Sequence, residues 1–166
     1  MIEKDLKKIA KGILRGAAQK EAPTDLHRVL AFLRIHDERP WHLSVNAWAS
    51  LDRPTRGRTR FKSQERGATG RERWRLAHEI AHHVLHGAEP HLRAGSWETH
   101  ELEYEADLFA AELLIPDPWI ARAVKKMGDG AVDVESLARA FAVGRAEMEK
   151  RLHQLDLIGT EVLPRM

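Results

Sequence analysis

The sequence contains no cysteine at all. That removes disulfides, thiolate metal sites and a cysteine nucleophile together, and it fits a reducing compartment. No run of about 18 apolar residues occurs, so no membrane-spanning helix is expected. The opening segment, Met1 to Lys20, is charged throughout and lacks the apolar stretch of a signal peptide. A cytoplasmic location is therefore the expectation. One-signed charge is missing too: 27 Lys and Arg against 25 Asp and Glu leave a formal net charge of +2. That balance alone does not indicate nucleic-acid binding. Aromatic residues are few, and the five tryptophans read as core and rim rather than as a binding box.

What is present fits one globular unit with a real apolar core. The chain has 166 residues, 43% of them hydrophobic. Its cations are unevenly placed. Arg53, Arg56, Arg58, Arg60, Lys62, Arg66, Arg71, Arg73 and Arg75 fall in one stretch opposed only by Asp52, Glu65 and Glu72. Such a stretch reads first as a solvated loop and strand, and second as an attractor of acidic partners. Ten histidines are many, and several cluster.

Periodicity predicts an amphipathic helix over 3–20, with Leu6, Ile9, Ile13 and Leu14 on one side. Thr24 can cap a second helix carrying Leu26, Val29, Leu30 and Leu33. A strand is expected from Leu43 to Trp48, and another from Arg58 to Lys62 after the Asp52-Arg53-Pro54 turn signal. Thr69 and Glu72 have capping-box spacing, so a helix should start near Gly70 and end at Gly87 and Pro90. Further helices are expected from about Glu98 to Ile115, near 119–127, and over 133–142 and 145–155. The expected class is α+β: mostly helical, with a small sheet of about three strands ahead of the histidine helix.

The chemistry is carried by His78-Glu79-Ile80-Ala81-His82, an H-E-x-x-H motif inside a helix. Four residues along a helix turn about 400°, so His78 and His82 face the same way, roughly 6 Å apart along the axis. Two imidazoles so placed can share one zinc through bonds of about 2.0–2.1 Å. Glu79, offset by about 100°, sits beside such a metal and can take a proton from the attacking water. A third ligand is required, and the helix over Glu103 to Leu114 offers one. Glu103 and Asp107, four apart, share a face, and Leu102, Ala106, Phe109 and Leu113 form the neighbouring apolar face. Alanines at 106, 110 and 111 let this helix approach the motif helix closely. Glu103 can complete a His, His, Glu set that leaves a fourth position for water. Asp107 can accept the free N–H of a ligand histidine and fix its tautomer. Glu105, about 200° round the helix, is the less favoured ligand.

Both blocks resemble the ImmA/IrrE family of bacterial metallo-endopeptidases. Arg75 to His86 reads R-L-A-H-E-I-A-H-H-V-L-H, and Glu103 to Pro116 reads E-Y-E-A-D-L-F-A-A-E-L-L-I-P. Family members show an H-E-x-x-H-x-x-L-H helix followed by E-x-x-A-N-x-F-A-x-x-L-L-x-P. Residues 24–158 fit the family outline, with the two blocks by far the most specific part. The resemblance implies a zincin-like fold, metal ligands at His78, His82 and Glu103, and Glu79 as the catalytic residue. It implies zinc as cofactor, with manganese as an alternative in cells. It also implies a protein substrate, a helix-turn-helix repressor whose cleavage releases stress or mobile-element genes. Asp107 stands where the family commonly has Asn, and Trp74 and Arg75 where Phe and Thr are frequent.

Smaller signals complete the reading. His86 lies about 40° round from His82 and reads as a packing histidine, with an outer contact to the metal site as the alternative. His83 reads as a partly buried structural residue. His100 and Tyr104 flank the Glu103 turn and are candidate donors to the oxyanion of a tetrahedral intermediate, a choice the sequence does not make. An extended peptide could pair beside Arg58 to Lys62, which makes Arg60 a candidate substrate contact. The expected organisation is a metallopeptidase domain over 1–130 and a helix-turn-helix-like extension over 131–166 packed on it. In that extension Arg139, Arg145, Lys150 and Arg151 are balanced by Glu135, Glu147 and Glu149. The balance favours packing or substrate docking over direct DNA contact. The competing functional class is a non-catalytic module that sequesters a repressor or antitoxin, and a third is transcription control through the C-terminal helices.

Overall fold

The computed structural model describes residues 3–37, 60–61, 70–87, 97–128 and 130–158. In chain order these form α1 (Glu3–Gly16), α2 (Leu26–Phe32), β1 (His36–Asp37), β2 (Arg60–Phe61), α3 (Gly70–Ala81), α4 (Trp97–Leu114), α5 (Asp117–Met127), α6 (Val134–Phe141) and α7 (Arg145–Gln154). A π-helical turn, His82–His86, continues α3 without a break. Gly87 then stops the helix at a positive φ of 72°, where a residue with a Cβ is strained.

α4 is the central element, with α3 and α1 packed on it. Its buried residues Ala106, Phe109, Ala110, Leu113 and Leu114 meet Leu76, Ala77, Ile80 and Ala81 of α3 and Ala10, Ile13 and Leu14 of α1 in one cluster. That cluster also takes in Leu137, Ala138 and Phe141 of α6 and Met148 and Leu152 of α7. Alanines on both α3 and α4 remove the side-chain bulk that would otherwise hold the two axes apart. Gly70 opens α3 at a second close approach. A Cβ there would lie 2.4 Å from the backbone of Val143 and of Gly144, so only glycine fits.

Buried polar groups lock the helices in register. Arg73 of α3 donates to Thr24 O and to Ala142 O, 3.0 Å away. Thr24 is buried and donates to Leu113 O at 2.9 Å rather than capping α2. The α2 cap is Asp25, which accepts from Arg28 N at 3.1 Å. Arg151 of α7, 3% exposed, donates to Ile115 O and pairs with Glu112 and Asp117. Its cation thus ties α7 to the end of α4 and the start of α5.

The fold class needs correction. A three-stranded sheet is not seen among the described residues, and the architecture is helical. Among the described residues a two-residue parallel contact joins β1 to β2, pairing His36 with Arg60 and Asp37 with Phe61. The physical reason is that, among the described residues, helix faces cover one another: residues of α1, α3, α4, α6 and α7 share one core cluster. The strand expected from Leu43 to Trp48 lies outside the described residues, as do Thr69 and Pro90. The first helix ends at Gly16 rather than at residue 20, since Ala18 takes a positive φ of 55°. Among the described residues no helix is long and apolar enough to cross a membrane.

Candidate metal centre

His78 lies in the last turn of α3 and His82 opens the π-helical turn, so the two rings meet edge to face along one side, with centroids 4.7 Å apart. Glu103 sits two turns into α4, and the close packing of α3 on α4 brings its carboxylate to both rings. Three side chains converge. His78 Nε2 is 3.0 Å from His82 Nε2 and 3.0 Å from Glu103 Oε2, and His82 Nε2 is 3.3 Å from Glu103 Oε1. These three residues are the described group whose ligand atoms could hold a metal ion.

Two tests ask whether a metal fits. The first is size. A tetrahedral zinc with bonds of about 2.0–2.1 Å sets its ligand atoms about 3.3–3.4 Å apart, close to the 3.0–3.3 Å that separate the two ring nitrogens from each other and from the nearer carboxylate oxygens. The second is hydrogen bonding. His78 Nδ1 lies 3.0 Å from Asp107 Oδ1, and a carboxylate can only accept, so Nδ1 carries the proton. In the neutral ring Nε2 is then a bare lone pair facing Glu103, another acceptor. Acceptors 3 Å apart require a cation among them, either a proton or a metal. The electrostatics of His78 express the same demand. Burial alone lowers its pKa, but the Asp107 hydrogen bond and the charges of Asp107, Glu103 and Glu79 outweigh burial and leave it raised. The donor set, two imidazoles and one carboxylate with a side open to solvent at Glu103 (43% exposed), fits a divalent metal.

The peptidase family described as the IrrE N-terminal-like domain matches residues 64–153, more than half of the chain. The chain belongs to this family. None of the curated proteins matches it. The match covers both motif blocks, from before α3 to the end of α7, so the IrrE-like region contains every residue of the triangle. Membership makes the chain a member of a peptidase family and implies a protein substrate.

The other IrrE-like site positions are placed as follows. Glu79 is half-buried beside His78 on α3. Its pKa is raised, first by burial and then by the charge of Glu103, against the opposing pull of His78 and Arg75. Asp107 is held below the usual carboxylate range, mainly by the hydrogen bond from His78, with Lys150 at 3.5 Å assisting. Tyr104 is 60% exposed, and His100 is exposed on the first turns of α4. Neither is brought into the triangle. Arg60 lies in β2, and its side chain is outside what the structure describes. His83 is buried enough to lower its pKa, and its Nδ1 finds no partner.

One buried pair has no local sequence signature that joins its members. His86 Nε2 meets Glu105 Oε2 at 3.0 Å, and both side chains are buried, 6% and 8% exposed. The other ring nitrogen of His86 lies 3.1 Å from His82 Nδ1. The available signal was the spacing of four between His82 and His86 beside an acidic residue two positions from Glu103. Using it required the register of α3 against α4, which no local pattern supplies.

Proposed function

We propose that the chain is a zinc-dependent endopeptidase that cleaves a helix-turn-helix repressor in the cytoplasm. In this reading His78, His82 and Glu103 hold the metal and Glu79 is the general base. The observation that carries it is the convergence of three side chains, two imidazole nitrogens 3.0 Å apart with one oxygen of the Glu103 carboxylate 3.0–3.3 Å from each, beside a half-buried carboxylate on the helix of His78. The chemistry a bound divalent metal supplies is Lewis acidity toward the scissile carbonyl and a water pKa lowered to about 7.

The protein's own groups do the rest. Burial makes Glu79 a stronger proton acceptor than an exposed carboxylate, so it takes the proton of the attacking water and returns it to the departing amine. Asp107 fixes the His78 ring so that Nε2 faces the centre. The exposed side of Glu103 leaves an approach for an extended peptide, with Tyr104 and His100 as candidate donors to the carbonyl oxygen and Arg60 as a candidate substrate contact. We assign residues 131–166 to an extension that serves packing or substrate docking rather than DNA contact. Zinc is the metal of this reading, and manganese is the cellular alternative that the same donors accept.

The experiment is cleavage of a candidate helix-turn-helix repressor by the metal-loaded protein and by Glu79→Gln. The variant should keep its metal and lose roughly 10²–10⁴-fold in rate. Undiminished cleavage by the variant refutes the mechanism. Tight repressor binding with no product from the metal-loaded wild type would instead favour a sequestering module.

A further inference from the structure

We infer that Glu105 and His86 form a hydrogen-bond relay that holds His82 in the tautomer whose Nε2 faces the metal. This rests on the reading that His82 is a metal ligand, and it assigns positioning roles to two residues outside the ligand set.

Glu105 is buried on α4, and its Oε2 lies 3.0 Å from His86 Nε2. An ionised carboxylate only accepts, so His86 Nε2 carries a hydrogen. In the neutral imidazole the opposite nitrogen, Nδ1, is then an acceptor. His86 Nδ1 lies 3.1 Å from His82 Nδ1, so His82 must donate there. Its Nε2 is left bare, and that is the atom 3.0 Å from His78 Nε2 and 3.3 Å from Glu103 Oε1. Free imidazole has no such fixed preference, so an unsupported His82 would divide its population between two tautomers and only one could bind.

The two ligand histidines are therefore set by different means. His78 reaches a carboxylate directly, at Asp107. His82 lies one turn further along, and His86 bridges its ring to Glu105. The π-helical turn spans His82 to His86, with the two ring centroids 5.2 Å apart. Single π turns are rare and concentrate at functional sites. Glu103 and Glu105, two positions apart on α4, thus address the two ends of one histidine row.

The test uses the full chain and two readouts besides activity. Zinc affinity is measured by competition with a chromophoric chelator at pH 8. Histidine tautomers are read from nitrogen-15 shifts of the metal-free protein. Wild-type His82 should be protonated on Nδ1. Glu105→Leu and His86→Leu should bind zinc roughly 10–100-fold more weakly and show mixed His82 tautomers. His86→Gln should recover most of the affinity, because its amide oxygen accepts from His82 while its N–H donates to Glu105. Glu105→Gln keeps an acceptor without the charge and should fall between. Folded leucine variants with wild-type affinity overturn the relay, and so does a wild-type His82 that carries no proton on Nδ1. Should the leucine variants not fold, the glutamine pair and the wild-type spectrum still decide. A wild type that binds no zinc sinks the metal reading instead, while its His82 tautomer still reports on the relay.

Discussion

His78 Nδ1 lies 3.0 Å from Asp107 Oδ1, so one carboxylate on α4 orients a ring on α3 whose other nitrogen meets Glu103 four residues away on the same helix. The two contacts divide the labour: Asp107 accepts the hydrogen bond from Nδ1, and Glu103 shares the centre. Asp107→Leu should therefore weaken zinc binding roughly 10–100-fold without removing a ligand. Asp107→Asn keeps an oxygen that accepts from Nδ1 and should stay within a few-fold of wild type. Chelator competition on both variants checks this. Equal losses in the two would show that charge, and not ring orientation, is what Asp107 contributes.

Metal removal should be visible in stability. A ligand that binds only the folded state stabilises it by about 2.7 kcal/mol at 100 times its Kd. Zinc should raise the melting temperature of the wild type and a chelator should reverse the rise. Glu103→Ala should abolish the response while changing the metal-free protein by no more than about 0.5 kcal/mol, as its side chain is 43% exposed. A full zinc shift in Glu103→Ala would remove that carboxylate from the ligand set.

The pair between Arg151 and Glu112 predicts a pH-dependent stability. Both side chains are buried, 3% and 8% exposed. Removing one partner of a buried pair costs about 3–5 kcal/mol, because the other charge is stranded. Arg151→Met should lose that much near pH 7. Burial already raises the Glu112 pKa above its ordinary value of 4.5 even with Arg151 beside it, and without the guanidinium it must rise further. A carboxyl with a raised folded-state pKa binds more protons folded than unfolded above pH 4.5, so stability falls as pH rises through that window. The deficit of Arg151→Met against wild type should thus shrink as pH drops from 7 toward 5. Denaturant melts across that range read it directly. A deficit independent of pH would assign the loss to packing and the Ile115 O hydrogen bond alone.

How far the sequence revealed this molecule depends on the range of each interaction. The motif helix, its end at Gly87 and the boundaries of α4 to α7 are set by contacts within a few residues, and the pattern of apolar positions and turn residues located them closely. The placement of Glu103 opposite the histidines followed from two helical faces and the small alanines between them. Thr24 was misassigned because a threonine before a helix looks like a cap; burial against Leu113 O, 89 positions away, engaged its hydroxyl elsewhere. The sheet failed for a related reason. Short apolar runs carry no period that separates a strand from other extended chain, and the core formed by the described residues is built from helices. The link from His86 to Glu105 spans 19 positions and two helices, a distance no local rule covers.

The tight seam between α3 and α4 is what turns two motifs into one site, and Ala106 tests that claim. It is fully buried, three residues after Glu103 and one before Asp107. Ala77 and Ala81 of α3 are equally buried in the same cluster. Leucine at 106 adds three carbons where no space remains, which costs about 1–3 kcal/mol and displaces the backbone. Displacing α4 moves Glu103 and Asp107 together away from His78. Ala106→Leu should therefore lose zinc affinity by far more than its modest fall in stability implies, although it alters no ligand. Glu101→Leu, at an exposed position on the same helix, serves as the control and should change neither property. If Ala106→Leu folds and binds zinc like the wild type, the helix spacing does not set the metal geometry, and the ligand carboxylate must reach the histidines by its own flexibility.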